Sequence, residues 1–112
     1  MPEAAARLRR LEETARRVFE ARGYREIRPP LVESLALFER TTGGATDVVE
    51  KQMFAIPPRD GGPAFVLRPE GTPGTFRAHL AAGLARTDPF QKYFYAGPMF
   101  RYERPQKGRL RQ

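Results

Sequence analysis

The sequence contains no cysteine and a single histidine, His79. Without cysteine there is neither a disulfide framework nor a thiolate metal site, a composition compatible with a reducing cytosol. The apolar runs are too short to span a bilayer and no signal-peptide core opens the chain, so the cytoplasm is the expected compartment and no membrane partner is implied. No nucleophile and base pair, metal-ligand cluster or glycine-rich phosphate loop is visible. His79 lies in a helical pattern beside Leu80 with no evident partner. General base work needs one, so a solvated surface position is expected for it. What remains is chemistry by positioning and charge stabilisation, with arginines acting on phosphate oxygens.

What is present is local positive charge. Of the net +7, the stretch from Gln91 onward supplies +5: Lys92, Arg101, Arg104, Lys107, Arg109 and Arg111 stand against Glu103 alone. Such concentration favours a phosphate-bearing ligand or nucleic acid over general solubility. At 112 residues the chain can bury one modest core, and its 40% apolar content with regular spacing argues for order.

Leu8, Leu11, Ala15, Val18 and Phe19 recur at helical intervals over Ala4 to Arg22, with Glu12 to Arg16 and Glu13 to Arg17 as i,i+4 pairs and Gly23 as the stop. Tyr24 to Arg28 reads as extended. Pro29-Pro30 removes two backbone donors, which predicts a strand at an edge or an interface. Ser34 caps a short helix through Leu35 and Phe38 that stops near Gly43-Gly44. Asp47 and Glu50 form a capping box for a single turn before the extended stretch Gln52 to Ile56. The turn formers Pro57 to Pro63 join that stretch to Ala64 to Leu67 as a hairpin. Thr72 then Pro73 predicts N-cap and first position of a helix whose buried stripe is Phe76, Leu80 and Leu84. Asp88-Pro89 leads to an aromatic strand, Phe90 to Ala96. Helices with mostly hairpin-linked strands predict an α+β fold, an antiparallel sheet with flanking helices.

Two stretches carry candidate chemistry. Met99 to Glu103 reads as a strand with Arg101 and Glu103 on one face and Phe100 and Tyr102 on the other. It leads into the basic turn Arg104-Pro105-Gln106-Lys107-Gly108-Arg109. An arginine fork suits phosphate, a carboxylate two residues on can accept from an exocyclic amine, and a surface ion pair is the plain alternative. Leu67-Arg68-Pro69-Glu70-Gly71-Thr72 places a carboxylate and a glycine where a strand hands over to a helix. Glu70 there either complements the helix dipole or binds an ammonium group.

Together these residues resemble the N-terminal catalytic core of a class II aminoacyl-tRNA synthetase, and specifically the histidyl-tRNA synthetase family. Gly23 to Val32, with Pro30, is similar to the first class II motif, and Phe100-Arg101-Tyr102-Glu103 with its basic loop to the second. Thr46-Asp47-Val48-Val49 with Lys51-Gln52-Met53-Phe54, Leu67 to Thr72, and Gly97 to Gly108 narrow the match to the histidine family. The resemblance implies a partial class II catalytic fold over residues 1–112 and histidine-tRNA ligase chemistry: ATP activates histidine to the adenylate, which is transferred to tRNA(His). It also implies a residue set. Glu70, Gly71 and Thr72 would hold the amino acid's ammonium end. Arg101, the catalytic candidate, would contact the α-phosphate and the histidine carboxylate. Glu103 would read adenine, Arg109 the terminal phosphates, and Gln106 and Lys107 would face the tRNA acceptor end. Pro30 would lie at a homodimer interface. Mg²⁺ bridging the phosphates is implied, with no ligands in this chain.

Leu110 departs from the tyrosine usual in the family. The third motif, the later histidine-binding segment and the anticodon-binding domain do not occur in these residues. A fragment without aminoacylation activity of its own is therefore expected. The alternatives are a non-catalytic synthetase-like regulatory subunit of histidine biosynthesis and a free-standing RNA-binding module. Retention of Glu70, Arg101, Glu103 and Arg109 together favours the ligase over both.

Overall fold

A computed structural model describes residues 1–41 and 53–102, and structural statements refer to these. The chain opens with α1 (Pro2–Glu20), whose proline in the first turn is preset for helix entry. Gly23 adopts φ 76°, the left-handed conformation that ends it cheaply. There follow β1 (Arg25–Glu26), β2 (Val32–Ser34), α2 (Leu35–Thr41), β3 (Ala55–Ile56), β4 (Phe65–Leu67), α3 (Thr72–Ala81), α4 (Leu84–Thr87) and β5 (Tyr93–Phe94).

β4 is the centre of an antiparallel three-stranded sheet in the order β2-β4-β3. Val32 faces Leu67 and Glu33 faces Val66 across one ladder, and Ala55 faces Val66 across the other. The hairpin expected between β3 and β4 is formed. A separate ladder was not anticipated: β1 pairs with β5 in parallel, Arg25 opposite Tyr93 and Glu26 opposite Phe94. Chain ends far apart in sequence meet there, so no local turn signal announced it.

The core is small. Phe38 and Met53 close over Val66, which is fully buried, with Leu35 and Leu37 packed against them. A satellite of aromatics joins α1 to the parallel pair, Phe19 stacking on Phe94 with centroids 5.1 Å apart and meeting Tyr24 at 5.4 Å. Polar ties complete the scaffold. Glu33 is buried and paired to Arg77 of α3 at 2.7 Å. Gly74 fits against the same carboxylate: a Cβ there would lie 3.0 Å from Glu33 Oε1 and 3.1 Å from Pro29 Cβ. α3 is thus pinned to β2 through a charge and a close approach.

Several sequence expectations are corrected. α1 has its helical stripe, but none of its residues is buried, and Leu11 and Val18 are exposed. Arg16 pairs with Glu26 of β1 rather than with Glu12, and Arg17 Nε donates to the Glu13 carbonyl rather than to its carboxylate. A strand alongside offers Arg16 a carboxylate that is already part-buried, which outcompetes a solvated partner on the same helix. In α3 the buried residues are Pro73 and Gly74, whereas Phe76 and Leu80 are exposed. Small residues face inward because the helix approaches Pro29 and Glu33 closely. Thr72 is the first helical residue rather than the cap, Gly71 holding the N-cap position. His79 is half-buried, its Nδ1 3.3 Å from the Tyr93 hydroxyl. Met99–Tyr102 is not a strand: one backbone bond, Phe100 N–H to the Arg68 carbonyl at 3.0 Å, holds it. The capping box at Asp47 and the strand start at Gln52 lie outside the described residues.

Candidate functional site

The inward face of β4 continues past its end. Val66 is buried, and two residues on, in strand alternation, so is Arg68. Its backbone joins two passing segments, N–H donating to the Leu31 carbonyl at 2.9 Å and carbonyl accepting from Phe100 at 3.0 Å. Its guanidinium joins the same two again: Nη1 donates to the Pro29 carbonyl at 2.6 Å and Nε to the Pro98 carbonyl at 3.2 Å. Pro69 then turns the chain outward, and Glu70 stands exposed ahead of α3.

Gly71 is buried beneath Tyr95, so close that a Cβ would lie 2.5 Å from the ring. The Tyr95 hydroxyl reaches Thr72 Oγ1 at 2.9 Å. Opposite, Arg101 is exposed and donates from Nε to the Pro69 carbonyl at 3.2 Å. Among the described residues its terminal N–H groups have no hydrogen-bond partner. The exposed Glu70 and the exposed Arg101, from distant segments, therefore share one peptide, Pro69–Glu70, with the Thr72–Tyr95 hydroxyl pair two residues further along the chain. That arrangement suits a zwitterion with its cationic end at Glu70 and its anionic end at Arg101.

The candidates named from the sequence divide accordingly. Glu70, Gly71, Thr72 and Arg101 are brought to one place. Pro30 is exposed beside the buried Pro29, away from the hydroxyl pair in sequence and on the link between β1 and β2. Glu103, Gln106, Lys107 and Arg109 lie outside the described residues. Arg68 and Tyr95 were missed. A cation at an inward alternation position was the available signal for Arg68. For Tyr95 nothing local distinguishes it from its aromatic neighbours.

A family model described as histidyl-tRNA synthetase matches residues 1–112, the whole chain. The chain belongs to the histidyl-tRNA synthetase family. Among curated relatives in it, the histidine–tRNA ligase of Pelobacter propionicus is 47% identical over 112 residues, covering all of this chain and 27% of that protein. The histidine–tRNA ligase of Anaeromyxobacter sp. (strain K) is 52% identical over the same length and share. The chain thus spans about a quarter of the length of these relatives. Among solved structures, apo histidyl-tRNA synthetase of S. aureus superposes with TM-score 0.72 at 32% identity, over 91% of this chain and 23% of that one. The RNA binding domain of threonyl-tRNA synthetase from Cryptosporidium parvum gives 0.77 at 19% identity, over 93% and 25% respectively, a likeness of fold. The α+β class II architecture expected from the sequence is therefore the one observed. Among the described residues no cluster of three or more His, Cys, Asp and Glu could hold a metal, and no helix is long and apolar enough to cross a membrane.

Proposed function

We propose that this chain is the N-terminal part of the catalytic domain of a histidine–tRNA ligase and supplies one wall of its amino-acid and ATP site. The observation that carries this is the hydrogen bond from Arg101 Nε to the Pro69 carbonyl, which sets a guanidinium beside Glu70. In this reading the histidine ammonium group sits on the Glu70 carboxylate and the Thr72 hydroxyl, with Gly71 admitting the chain closely. Its carboxylate sits on Arg101. A carboxylate oxygen of histidine attacks the ATP α-phosphorus, the bond to the pyrophosphate oxygen breaks, and the aminoacyl adenylate and pyrophosphate result. A ribose hydroxyl at the tRNA(His) terminus then attacks the activated carbonyl and AMP leaves.

Two anions must approach in the first step, and a cation touching both lowers the repulsion while holding the line of attack. Arg101 has that role here, with Glu103 assigned to adenine, Arg109 to the terminal phosphates, and Gln106 and Lys107 to the acceptor end. Synthetases use ATP with Mg²⁺ generally. Among the described residues no group of three or more His, Cys, Asp and Glu could hold that ion. The exposed Pro30 and the uncovered apolar residues of α1 support a homodimer, and the cytoplasm is the compartment assigned.

The test is histidine-dependent exchange of labelled pyrophosphate into ATP by the intact protein that includes these residues. Exchange is expected, with a loss of at least about a hundredfold in Arg101→Ala, in the range seen when a charge-stabilising donor is removed. Absence of exchange by the intact, folded dimer would refute the reading in favour of a binding protein.

A further inference from the structure

Arg68 is the one buried arginine among the described residues, and the reaction outlined above makes no use of it. Among the described residues it has no carboxylate partner. A buried cation without a counter-ion is costly unless its hydrogen bonds are well made, so its position requires explanation. Both of its guanidinium contacts are carbonyls of prolines, Pro29 at 2.6 Å and Pro98 at 3.2 Å. Neither carbonyl lies in a strand, and the guanidinium supplies the donors that a strand ladder would otherwise provide.

Gly97 completes the fit. A Cβ there would lie 2.7 Å from Arg68 Nη2, and its φ of 152° is a conformation side chains rarely take. The guanidinium thus occupies room that only glycine leaves. On the other side of the same residue, Pro69 carries the carbonyl that receives Arg101 Nε. The peptide that presents Arg101 and the peptide that receives it are both fastened to Arg68.

We infer that Arg68 is a positioning residue for adenylate formation, clamping the Pro98–Phe100 segment to the end of β4 so that Arg101 is held at the site beside Glu70. It touches neither histidine nor ATP and acts through Arg101. The inference rests on the proposed ligase reading for its catalytic consequence, while the clamp itself is a statement about this chain alone.

Two measurements on the intact protein separate these. The first is amide exchange at Phe100. Arg68→Lys keeps the charge but cannot hold both carbonyls in one fork, and Gly97→Ala keeps the arginine but displaces its guanidinium. Each is expected to speed exchange at Phe100 at least about tenfold while Val66 and Leu67 stay protected. Unchanged Phe100 protection in both folded variants overturns the clamp, whatever the enzyme does. The second is a kinetic cycle in pyrophosphate exchange, well below the unfolding temperature. Arg68→Lys is expected to lower kcat about tenfold to a hundredfold, because misplacing a catalytic group by about 1 Å has effects of that order. In an Arg101→Ala background the same substitution is expected to cost less than about twofold, since groups acting through one another are not additive. Equal losses in both backgrounds, or a wild-type kcat in Arg68→Lys, overturn the positioning role. If the wild-type protein shows no histidine-dependent exchange, the ligase reading falls, the catalytic role of Arg68 falls with it, and Phe100 exchange still decides the clamp.

Discussion

Substituting alanine for Gly71 tests how tightly the candidate site is built around Tyr95. Gly71 has φ −99° and ψ −13°, which alanine can adopt, so the backbone imposes no requirement for glycine. Space does. The added methyl would lie 2.5 Å from Tyr95 Cε2 and 2.8 Å from both Cδ2 and Cζ. Carbon pairs are content at about 3.5–4.0 Å, so relief requires a shift of about 1 Å. Either the Tyr95 ring swings out and its hydroxyl leaves Thr72 Oγ1, or the start of α3 moves and the bond from Thr75 N–H to the Gly71 carbonyl weakens. Overpacking of this kind costs about 1–3 kcal/mol, with the exposed hydroxyl pair contributing no more than about 1 kcal/mol of it. At tenfold per 1.4 kcal/mol that is a loss of about fivefold to 150-fold in protection of the Thr75 amide, read by native-state hydrogen exchange. Tyr95→Ala made in the Gly71→Ala protein removes the obstructing ring and is expected to restore most of that protection, a coupling of about 1 kcal/mol or more. In the intact protein the histidine KM should rise in Gly71→Ala, because Glu70 and Thr72 flank the displaced residue. Wild-type protection in Gly71→Ala, or strict additivity in the double variant, would refute the reasoning.

Other outcomes follow from the same geometry. Phe38→Ala empties the largest buried side chain over Val66 and is expected to destabilise the domain by about 3–5 kcal/mol, measured by denaturant unfolding. Arg77→Met leaves the buried Glu33 carboxylate without its 2.7 Å partner. Because Arg77 is itself partly exposed, a loss of about 1–3 kcal/mol is expected, and Glu33→Gln in the same chain should recover part of it. Glu26 is held below the usual carboxylate range by the hydrogen bond from Arg28, with Arg16 adding to it against some desolvation. A depressed folded pKa contributes stability above the unfolded value of 4.5 that is lost as pH falls through the folded value. The stability gap between wild type and Glu26→Gln should therefore be full at neutral pH and close in acid. An ordinary midpoint for the Glu26 carboxyl in a carbon-13 titration would contradict this.

Much of the frame around the candidate site was legible in the sequence because it is written in short, strongly constrained stretches. Gly23 marked the end of α1, the turn formers Pro57 to Pro63 marked the hairpin, and Leu67 to Thr72 marked the handover from strand to helix. Each of these is decided by φ/ψ preference or by missing backbone donors, properties that belong to a residue and its neighbours. The family followed from the order of such stretches, and the roles proposed for Glu70, Gly71, Thr72 and Arg101 rest on that resemblance.

Tertiary structure alone decided what distant segments do to one another. The parallel pairing of β1 with β5 joins residues that no turn connects. The inward face of α3 is Pro73 and Gly74 rather than Phe76 and Leu80, because Glu33 and Pro29 come within contact of it. Arg16 chose Glu26 over its helical neighbour for the same kind of reason. Above all, Arg101 reaches the Pro69 carbonyl from a segment 32 residues away along the chain, and Arg68, a cation that composition would place in water, is buried beside them on the carbonyls of Pro29 and Pro98. Local chemistry can be read along the chain, but the partner that satisfies a buried charge is set by which segments cross, and only the folded chain determines that.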